Sequence, residues 1–245
     1  MRLSLYEVLD AYRQALSDLI SELLRARQEV LWKLLRLNKE KDSNFVWTAM
    51  YIVGDTSMAI QNFLRFGLDG PTKYEDEGER YLRLYGLLNA SYIQQDAVLK
   101  LYKLMNVPYP KNAKQRIDRL QIRDLRHKVG AHSVDYMNKD IGKIEPFVPV
   151  RARLEQFTCE YMNNETLVLQ RVDLKECVEE HSKLMVELLA TIYEKAVKTA
   201  YKGNEKKLQK YKEKLDDLKI IRDGGVVMKA AGGDKLIIRR LQSDA

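Results

Sequence analysis

Apolar side chains recur at spacings of three and four residues along most of the chain, which is the pattern of amphipathic helices. The first such pattern runs from Leu3 to Leu37 and breaks at the polar stretch 38–43. It resumes in a second helix that Asp42 or Ser43 can cap, and it stops at the loop GLDGPT, residues 67–72. The pattern therefore predicts long helices in the first part of the chain.

A third helix is predicted from near Tyr74 to Met105, with tyrosine and leucine residues along its apolar stripe. The polar step QQD, residues 94–96, interrupts this stripe, and such residues either make structural hydrogen bonds or face a site. Proline ends the helix in the stretch VPYPK, residues 107–111. A short basic helix then leads into the sequence RDLRHKVGAHSVDY, residues 123–136.

The hydrophobic pattern changes its period after this sequence. Residues 144–150 contain two prolines and are interpreted as irregular or as an edge strand. Residues 153–161 and 166–172 alternate between apolar and polar on either side of the segment 162–165. This alternation predicts a β-hairpin with a loop of four or five residues.

A further helix is predicted to begin after Asp173, with Glu176 completing an approximate capping box. It carries His181 near its start, which we interpret as a surface or packing histidine. A charged helix, Glu205–Arg222, follows a break at residues 202–204.

Together these patterns predict a mainly α fold in two parts. Residues 1–200 form an antiparallel helical bundle with a β-hairpin inserted at about 144–172. Residues 201–245 form a basic C-terminal helix and tail, in which 226–229 and 236–240 resemble a small hairpin. Such a tail could equally be disordered or become ordered only on a partner.

Positive charge is unevenly distributed in this chain of net charge +7. From residue 198 onward there are 13 lysines and arginines against 7 acids, and residues 111–128 have 7 against 2. Basic segments of this kind suit a polyanionic partner such as RNA or DNA, although a solvated helix face is the simpler explanation of either one alone.

Cysteine usage and hydropathy both favour a soluble, cytoplasmic protein. The two cysteines, Cys159 and Cys177, form no metal-ligand pattern and no disulfide framework, so free thiols are expected. Glu7 and Asp10 interrupt the N-terminus before an apolar core of signal-peptide length, and no stretch has the composition of a membrane span. No membrane association is expected.

Candidate chemistry concentrates in residues 123–136, which contain two of the three histidines. An imidazole titrates near neutral pH and can act as a general acid or base, and a guanidinium can bind a phosphate through two hydrogen bonds. The sequence predicts acid–base chemistry at a phosphate. The Gly-rich stretch GLDGPTK lacks the ending of a phosphate-binding loop, and the three histidines and two cysteines form no recognisable zinc site.

The segment RHKVGAH, from Arg126 to His132, resembles the motif of the HEPN domain superfamily. That motif is an arginine and a histidine separated by four to six residues, with Asn, Asp or His directly after the arginine. This chain has five intervening residues, of which His127 is the first. The sequence RDLRHKVGAH resembles that of the prokaryotic HEPN branch, which is linked to abortive infection and toxin–antitoxin systems. The resemblance covers Leu3 to about Tyr136 and the helix after Asp173.

The resemblance implies an all-helical bundle that acts as a metal-independent endoribonuclease, a hydrolase of RNA that needs no cofactor. It further implies a homodimer in which the motifs of two chains form one cleft. Arg126 would stabilise charge on the phosphorane and His132 would act as acid or base. His127 would orient the substrate or share proton transfer, and Asp124 would orient Arg126 or a histidine.

Three basic residues near the motif are expected to bind substrate: Arg119, Arg123 and Lys128. Two alternatives remain open. The chain could be a non-catalytic HEPN module that binds RNA or a protein, with an antitoxin or another defence component as its partner, or it could be an unrelated helical protein.

Overall fold

A computed structural model of the chain describes residues 4–27, 29–72, 76–138, 141–229 and 235–238. Most of these residues are helical. The α-helices are α1 (Leu5–Arg27), α2 (Leu31–Leu34), α3 (Asp42–Phe66), α4 (Glu77–Leu104), α5 (Pro110–Asp118), α6 (Gln121–Leu125), α7 (Leu174–Ala200) and α8 (Glu205–Arg222). A π-helix, Arg126–Ala131, continues α6 without a break.

Short antiparallel sheets complete the described structure. The strands are β1 (Tyr136–Asn138), β2 (Lys143–Glu145), β3 (Phe147–Glu155), β4 (Thr158–Asn163), β5 (Leu169–Asp173), β6 (Val226–Lys229) and β7 (Lys235–Ile238). β1 pairs with β2, β6 pairs with β7, and β4 lies between β3 and β5. The prediction of a mainly α fold with small β elements is confirmed.

The described residues form two compact units. We call the group drawn from 1–50, 100–108 and 185–245 the terminal unit, and the group drawn from 51–99 and 109–184 the motif unit. Each unit has its own buried apolar residues, whose removal from water is the main favourable contribution to folding.

In the terminal unit, α1 packs against α8 through both apolar and charged contacts. Leu16, Leu19 and Ile20 are fully buried on one face of α1. On another face, Glu22 accepts a hydrogen bond from the Tyr211 hydroxyl, and Asp18 lies 3.0 Å from the Lys214 Nζ atom. The amphipathic pattern of α1 is thus satisfied within its own unit.

The motif unit buries an apolar core beneath the π-helix. Its members include residues of α4, α5, α6, the π-helix and the start of α7: Leu84, Leu88, Ile117, Leu125, Val129, Leu174 and Val178. Asp173 begins α7 by accepting hydrogen bonds from the amides of Lys175 (2.7 Å) and Glu176 (3.0 Å). This cap confirms the predicted start of the helix.

The first hydrophobic pattern does not form one continuous helix. α1 ends at Arg27, and Val30 has an extended backbone (φ −70°, ψ 142°) before α2 begins at Leu31. Residues 25–27, 29 and 30 are all exposed, so the apolar stripe lapses there and gives the chain no reason to continue as a helix.

The predicted hairpin around 162–165 is present as β4 and β5, but its first strand is wrong in extent. Residues 153–161 contain a turn at Gln156 and Phe157, and the segment therefore belongs to two strands. Gln156 has φ +41°, and its carbonyl accepts a hydrogen bond of 2.6 Å from the Leu68 amide. The turn is stabilised by this distant contact, whereas its own residues carry no local turn signal.

Most of the other predicted elements agree with the structure. α3 and α8 occupy the expected segments, and β6 pairs with β7 as expected for the tail. The predicted short basic helix is divided into α5 and α6 by a break at Arg119 and Leu120. The predicted start of the third helix at Tyr74 and the predicted end of the last strand at residue 240 lie outside the described residues. None of the described helices has the length and apolar composition needed to cross a lipid bilayer.

Candidate functional site

The motif begins on the π-helix and ends at its C-cap residue, His132, and this arrangement brings its two histidines together. The His132 amide donates a hydrogen bond of 2.9 Å to the His127 carbonyl, five residues earlier. In an α-helix, residues five apart point in directions about 140° apart. Here the wider π-helical turn and the non-helical backbone of His132 (φ −129°, ψ 36°) place the two side chains on the same side. The imidazole rings of His127 and His132 consequently stack, with centroids 5.8 Å apart and planes 26° apart.

His132 is the more accessible of the two rings. Its side chain is 53% exposed, and its Nδ1 atom lies 3.3 Å from the Asp135 Oδ1 atom. Asp135 therefore orients this imidazole, a role that the sequence had assigned to Asp124. With one edge held by a carboxylate, His132 can present Nε2 to a ligand.

The Tyr92 ring on α4 packs against the guanidinium groups of Arg126, in the motif, and of Arg123, three residues before it. The guanidinium carbon of Arg126 is 3.8 Å from the centre of the Tyr92 ring, and that of Arg123 is 4.4 Å from it. The His127 ring meets Tyr92 edge to face at 6.0 Å. Cation–π contacts of this kind fix the plane of a guanidinium while leaving its edges available for hydrogen bonds.

One edge of the Arg126 guanidinium is held by the protein. Its Nε atom donates a hydrogen bond of 3.4 Å to the Asn89 side-chain oxygen. Together with Tyr92, this contact aligns the side chain from its face and from its Nε side. Arg126, His127 and His132 thus lie in one group, as the motif predicts.

Arg123 is placed differently from the expected substrate contact. Its side chain is only 12% exposed and lies 3.4 Å from Asp96 and 3.3 Å from Asp118. Its Nη1 atom also donates a hydrogen bond of 2.9 Å to the Gln95 oxygen. Because protein acceptors already bind this guanidinium, its main contact with the site is the Tyr92 ring.

Asp124 and Lys128 form a separate cluster with three aromatic rings. The Lys128 Nζ atom is 2.8 Å from Asp124, whose other oxygen accepts a hydrogen bond of 2.9 Å from the Tyr136 hydroxyl. Lys128 also lies 5.3 Å from the Phe147 ring centre and 5.8 Å from that of Tyr161. Burial opposes protonation here, but the hydrogen bond to Asp124 raises the pKa of Lys128 above its usual value.

This arrangement does not bring Asp124 into hydrogen-bond contact with Arg126 or either histidine. Arg119, the remaining expected substrate contact, lies exposed at the C-terminal end of α5. Of the predicted residues, the structure therefore groups Arg126, His127 and His132 at one place. Asp124 with Lys128, and Arg119, lie at others.

The surroundings of His127 favour its neutral form. Burial lowers the pKa of His127, and the nearby positive charge of Arg123 adds to this effect. Arg126 and His132 act in the same direction, whereas Asp124 opposes them. An imidazole that stays unprotonated at neutral pH can accept a proton from a hydroxyl group.

Sequence reasoning missed three of the residues that hold the motif in place, Tyr92, Asn89 and Asp135, whereas Gln95 belongs to the polar step whose role the sequence left open. Tyr92 and Asn89 lie three residues apart on α4, so their shared face was readable once that helix was assigned. Their contact with the motif depends on tertiary packing. Within the described residues, no group of three or more His, Cys, Asp or Glu side chains could hold a metal ion.

Comparison of the chain with protein-family models, with curated proteins and with solved structures finds no match. Only the motif and the geometry around it therefore bear on function.

Proposed function

We propose that this protein is a metal-independent endoribonuclease of the HEPN type. The observation that supports this most is the grouping of Arg126 and His127 on the π-helix with His132 at its C-cap, and the alignment of Arg126 on Tyr92. In the proposed reaction a 2′-hydroxyl of RNA attacks the adjacent phosphorus. The bond to the 5′-oxygen breaks, which leaves a 2′,3′-cyclic phosphate and a 5′-hydroxyl.

Each grouped side chain has a chemical role in this reaction. Neutral His127 or His132 takes the proton of the 2′-hydroxyl, and a protonated imidazole returns one to the leaving 5′-oxygen. Arg126 binds the non-bridging oxygens and stabilises the charge that builds up on the phosphorane. The alignment of its guanidinium before substrate binds lowers the cost of reaching this geometry.

A second copy of the chain is the partner that the surface beside the motif supports. α4 exposes a stripe of apolar side chains, Leu82 (72%), Tyr85 (37%) and Ile93 (45%), that runs past Asn89. Asn89 contacts Arg126, so the stripe borders the motif directly. A homodimer formed through this face would bring two motifs together and cover apolar surface that is otherwise in water.

We place this function in the cytoplasm, in a defence or toxin–antitoxin system, with an antitoxin as a further partner. The alternative is a non-catalytic HEPN module that binds RNA or protein. One observation favours it: each motif side chain already has a protein contact, Arg126 with Asn89 and His132 with Asp135.

The test is cleavage of a pool of single-stranded and structured RNA by the purified chain in EDTA. We expect products with cyclic phosphate ends, and we expect Arg126→Ala and His132→Ala each to abolish cutting with an unchanged circular dichroism spectrum. Arg153→Ala serves as the control, because this arginine of the same unit is 65% exposed and pairs with Glu160 on β4, which is not a motif residue.

Mixing the two inactive variants tests the dimer in the same assay. If each site takes its arginine and histidine from different chains, a mixed dimer keeps one intact site and activity returns in part. A folded dimer that cuts no RNA would favour the binding module. Cleavage that needs a metal and survives both substitutions would refute the site.

A further inference from the structure

A network of buried hydrogen bonds leads from α3 to Arg123, three residues before the motif. Gln94 and Gln95 on α4 and His181 on α7 are all at most 1% exposed. The His181 Nε2 atom lies 2.8 Å from the Gln94 oxygen, and its Nδ1 atom lies 3.1 Å from the Gln95 amide nitrogen. The Gln95 oxygen then accepts a hydrogen bond of 2.9 Å from Arg123.

The groups at the two ends of this hydrogen-bond network determine which atom donates and which accepts in each of its hydrogen bonds. The Val53 carbonyl can only accept, so the Gln94 amide nitrogen faces it at 3.3 Å and the Gln94 oxygen faces His181. Arg123 can only donate, so the Gln95 oxygen faces it and the Gln95 nitrogen faces His181. His181 must therefore carry its proton on Nε2 and accept at Nδ1.

Only one form of the ring satisfies all four hydrogen bonds. A protonated His181 would present an N–H group to the Gln95 amide nitrogen, and the amide would have to turn its oxygen away from Arg123. Complete burial works against that form by lowering the pKa of His181 to about 3. The ring is thus kept in the state that the hydrogen-bond network requires.

The Gln95 end of this hydrogen-bond network determines where the Arg123 guanidinium lies. Arg123 packs against the Tyr92 ring, on which Arg126 also lies. Without the Gln95 oxygen, the Nη1 atom of Arg123 would keep only Asp96 as its hydrogen-bond acceptor, and the Asp96 side chain is 50% exposed. That carboxylate and Asp118 would then hold the guanidinium nearer to solvent.

We propose that His181 is a positioning residue of the site. Through Gln95 it holds Arg123 against Tyr92, and it thereby fixes the surface on which Arg126 lies. The effect on phosphate binding rests on the proposed function, whereas the effect on Arg123 does not. The polar step in α4 therefore serves both purposes that the sequence left open, as a buried hydrogen-bond network that also reaches the site.

Nuclear magnetic resonance of the full chain tests the proposal without any substrate. In the wild type we expect long-range nitrogen spectra to show His181 protonated at Nε2 and unprotonated at Nδ1 from pH 5 to 8. A free imidazole would change its protonation state within this range. The opposite tautomer, or a protonated ring in this range, would overturn the proposal. This measurement needs no variant to fold.

Variants then test the transmission to Arg123. His181→Phe and Gln95→Leu should each shift the Arg123 Nε–H signal. Each should also raise the His127 titration midpoint, because the charge of Arg123, which helps to lower the pKa of His127, moves away from it. The double variant should show no larger shift than either single variant, since both break the same hydrogen-bond network.

The matched control is Ser91→Ala on α4, whose buried hydroxyl has no hydrogen-bond partner among the described residues. It should leave both signals unchanged. If folded His181→Phe leaves the Arg123 and His127 signals at their wild-type positions, His181 only fills space.

A cleavage assay keeps the two proposals separate. If the wild type cuts RNA, His181→Phe and Gln95→Leu should each lower kcat roughly tenfold with little change in KM, because positioning acts on the reacting geometry. If the wild type cuts no RNA, the nuclease proposal fails while the magnetic resonance result still decides the role of His181.

Discussion

Tyr92 shows how much a single ring can contribute to a site without belonging to its motif. It contacts Arg123, Arg126 and His127. Its hydroxyl takes no part in these contacts. The ring face is therefore the property that matters at this position.

Replacement of Tyr92 separates the ring from the hydroxyl. We expect Tyr92→Leu to lower kcat/KM for RNA cleavage roughly 10- to 100-fold, because Arg126 loses the surface that aligns it. Tyr92→Phe keeps the ring face and should stay within about threefold of wild type. Equal losses in both variants would show that the hydroxyl, and not the stacking, is what the site uses.

At the residue scale, the motif itself could be predicted and its supports could not. Arg126 and His127 are adjacent in the sequence, whereas the meeting of His127 with His132 depends on the π-helical turn between them. Asn89 and Gln95 reach the site only because α4 packs beside the π-helix. The assignment of Lys128 to substrate ignored Asp124 four residues earlier, a helical spacing that favours an ion pair.

At the scale of elements, helices with a continuous apolar stripe were predictable nearly to their ends. The start of α7 followed from Asp173, whose carboxylate caps the first turn. The π-helix was not predictable, because its wider turn leaves no signature in the spacing of apolar residues. The turn at Gln156 was also missed, since it is held by the loop at Gly67 and Leu68.

In that long-range contact, Gly67 occupies a position with no room for a side chain. Gly67 has φ +62°, and a Cβ atom there would lie 2.6 Å from the Gln156 carbonyl oxygen. We expect Gly67→Ala to lower the free energy of unfolding by about 2–4 kcal/mol, through backbone strain and through displacement of the β3–β4 turn. Urea denaturation measures this change.

Gly142→Ala is the matched control for Gly67→Ala. Gly142 has a similar φ of +66°, but nothing lies within 4 Å of a Cβ atom placed there. It should lose only about 1 kcal/mol from the backbone conformation. Similar losses at the two positions would mean that the contact with Gln156 contributes nothing.

At the scale of the whole molecule, the mainly α class followed from the dominant spacing of apolar residues. The division into two compact units did not follow, because each unit collects segments that are distant in sequence. Hydrophobic periodicity shows which face of a helix is buried. It does not show which other helix covers that face.

Stability of the whole molecule should depend on pH through the buried His181. The unfolded chain protonates this ring near pH 6.5, whereas the folded protein does so only near pH 3. Between these values the unfolded state binds more protons, so stability is greatest above pH 6.5 and falls as the pH is lowered. The slope should reach about 1.4 kcal/mol per pH unit.

Urea denaturation between pH 7 and pH 5 checks this dependence. His127, whose pKa is also lowered in the folded protein, adds to the slope in this range with the same sign. The carboxylates with lowered pKa values, Asp18, Glu22 and Glu194, begin from 3.8 or 4.5, so their contribution appears at lower pH. His181→Phe should be less stable than wild type at pH 7 but should show a flatter slope. An unchanged slope in this variant would show that His181 is not the group responsible.

The burial of both cysteines has a practical consequence. Cys159 and Cys177 are at most 1% exposed, and burial raises the pKa of each thiol to about 12. Thiol reagents attack the thiolate, so the folded wild-type chain should remain almost unlabelled at neutral pH. A cysteine introduced at the exposed Glu77, at the start of α4 and outside the apolar stripe, would then take up a spin label selectively. In the proposed homodimer, the distance between two such labels would report how far apart the two α4 helices lie.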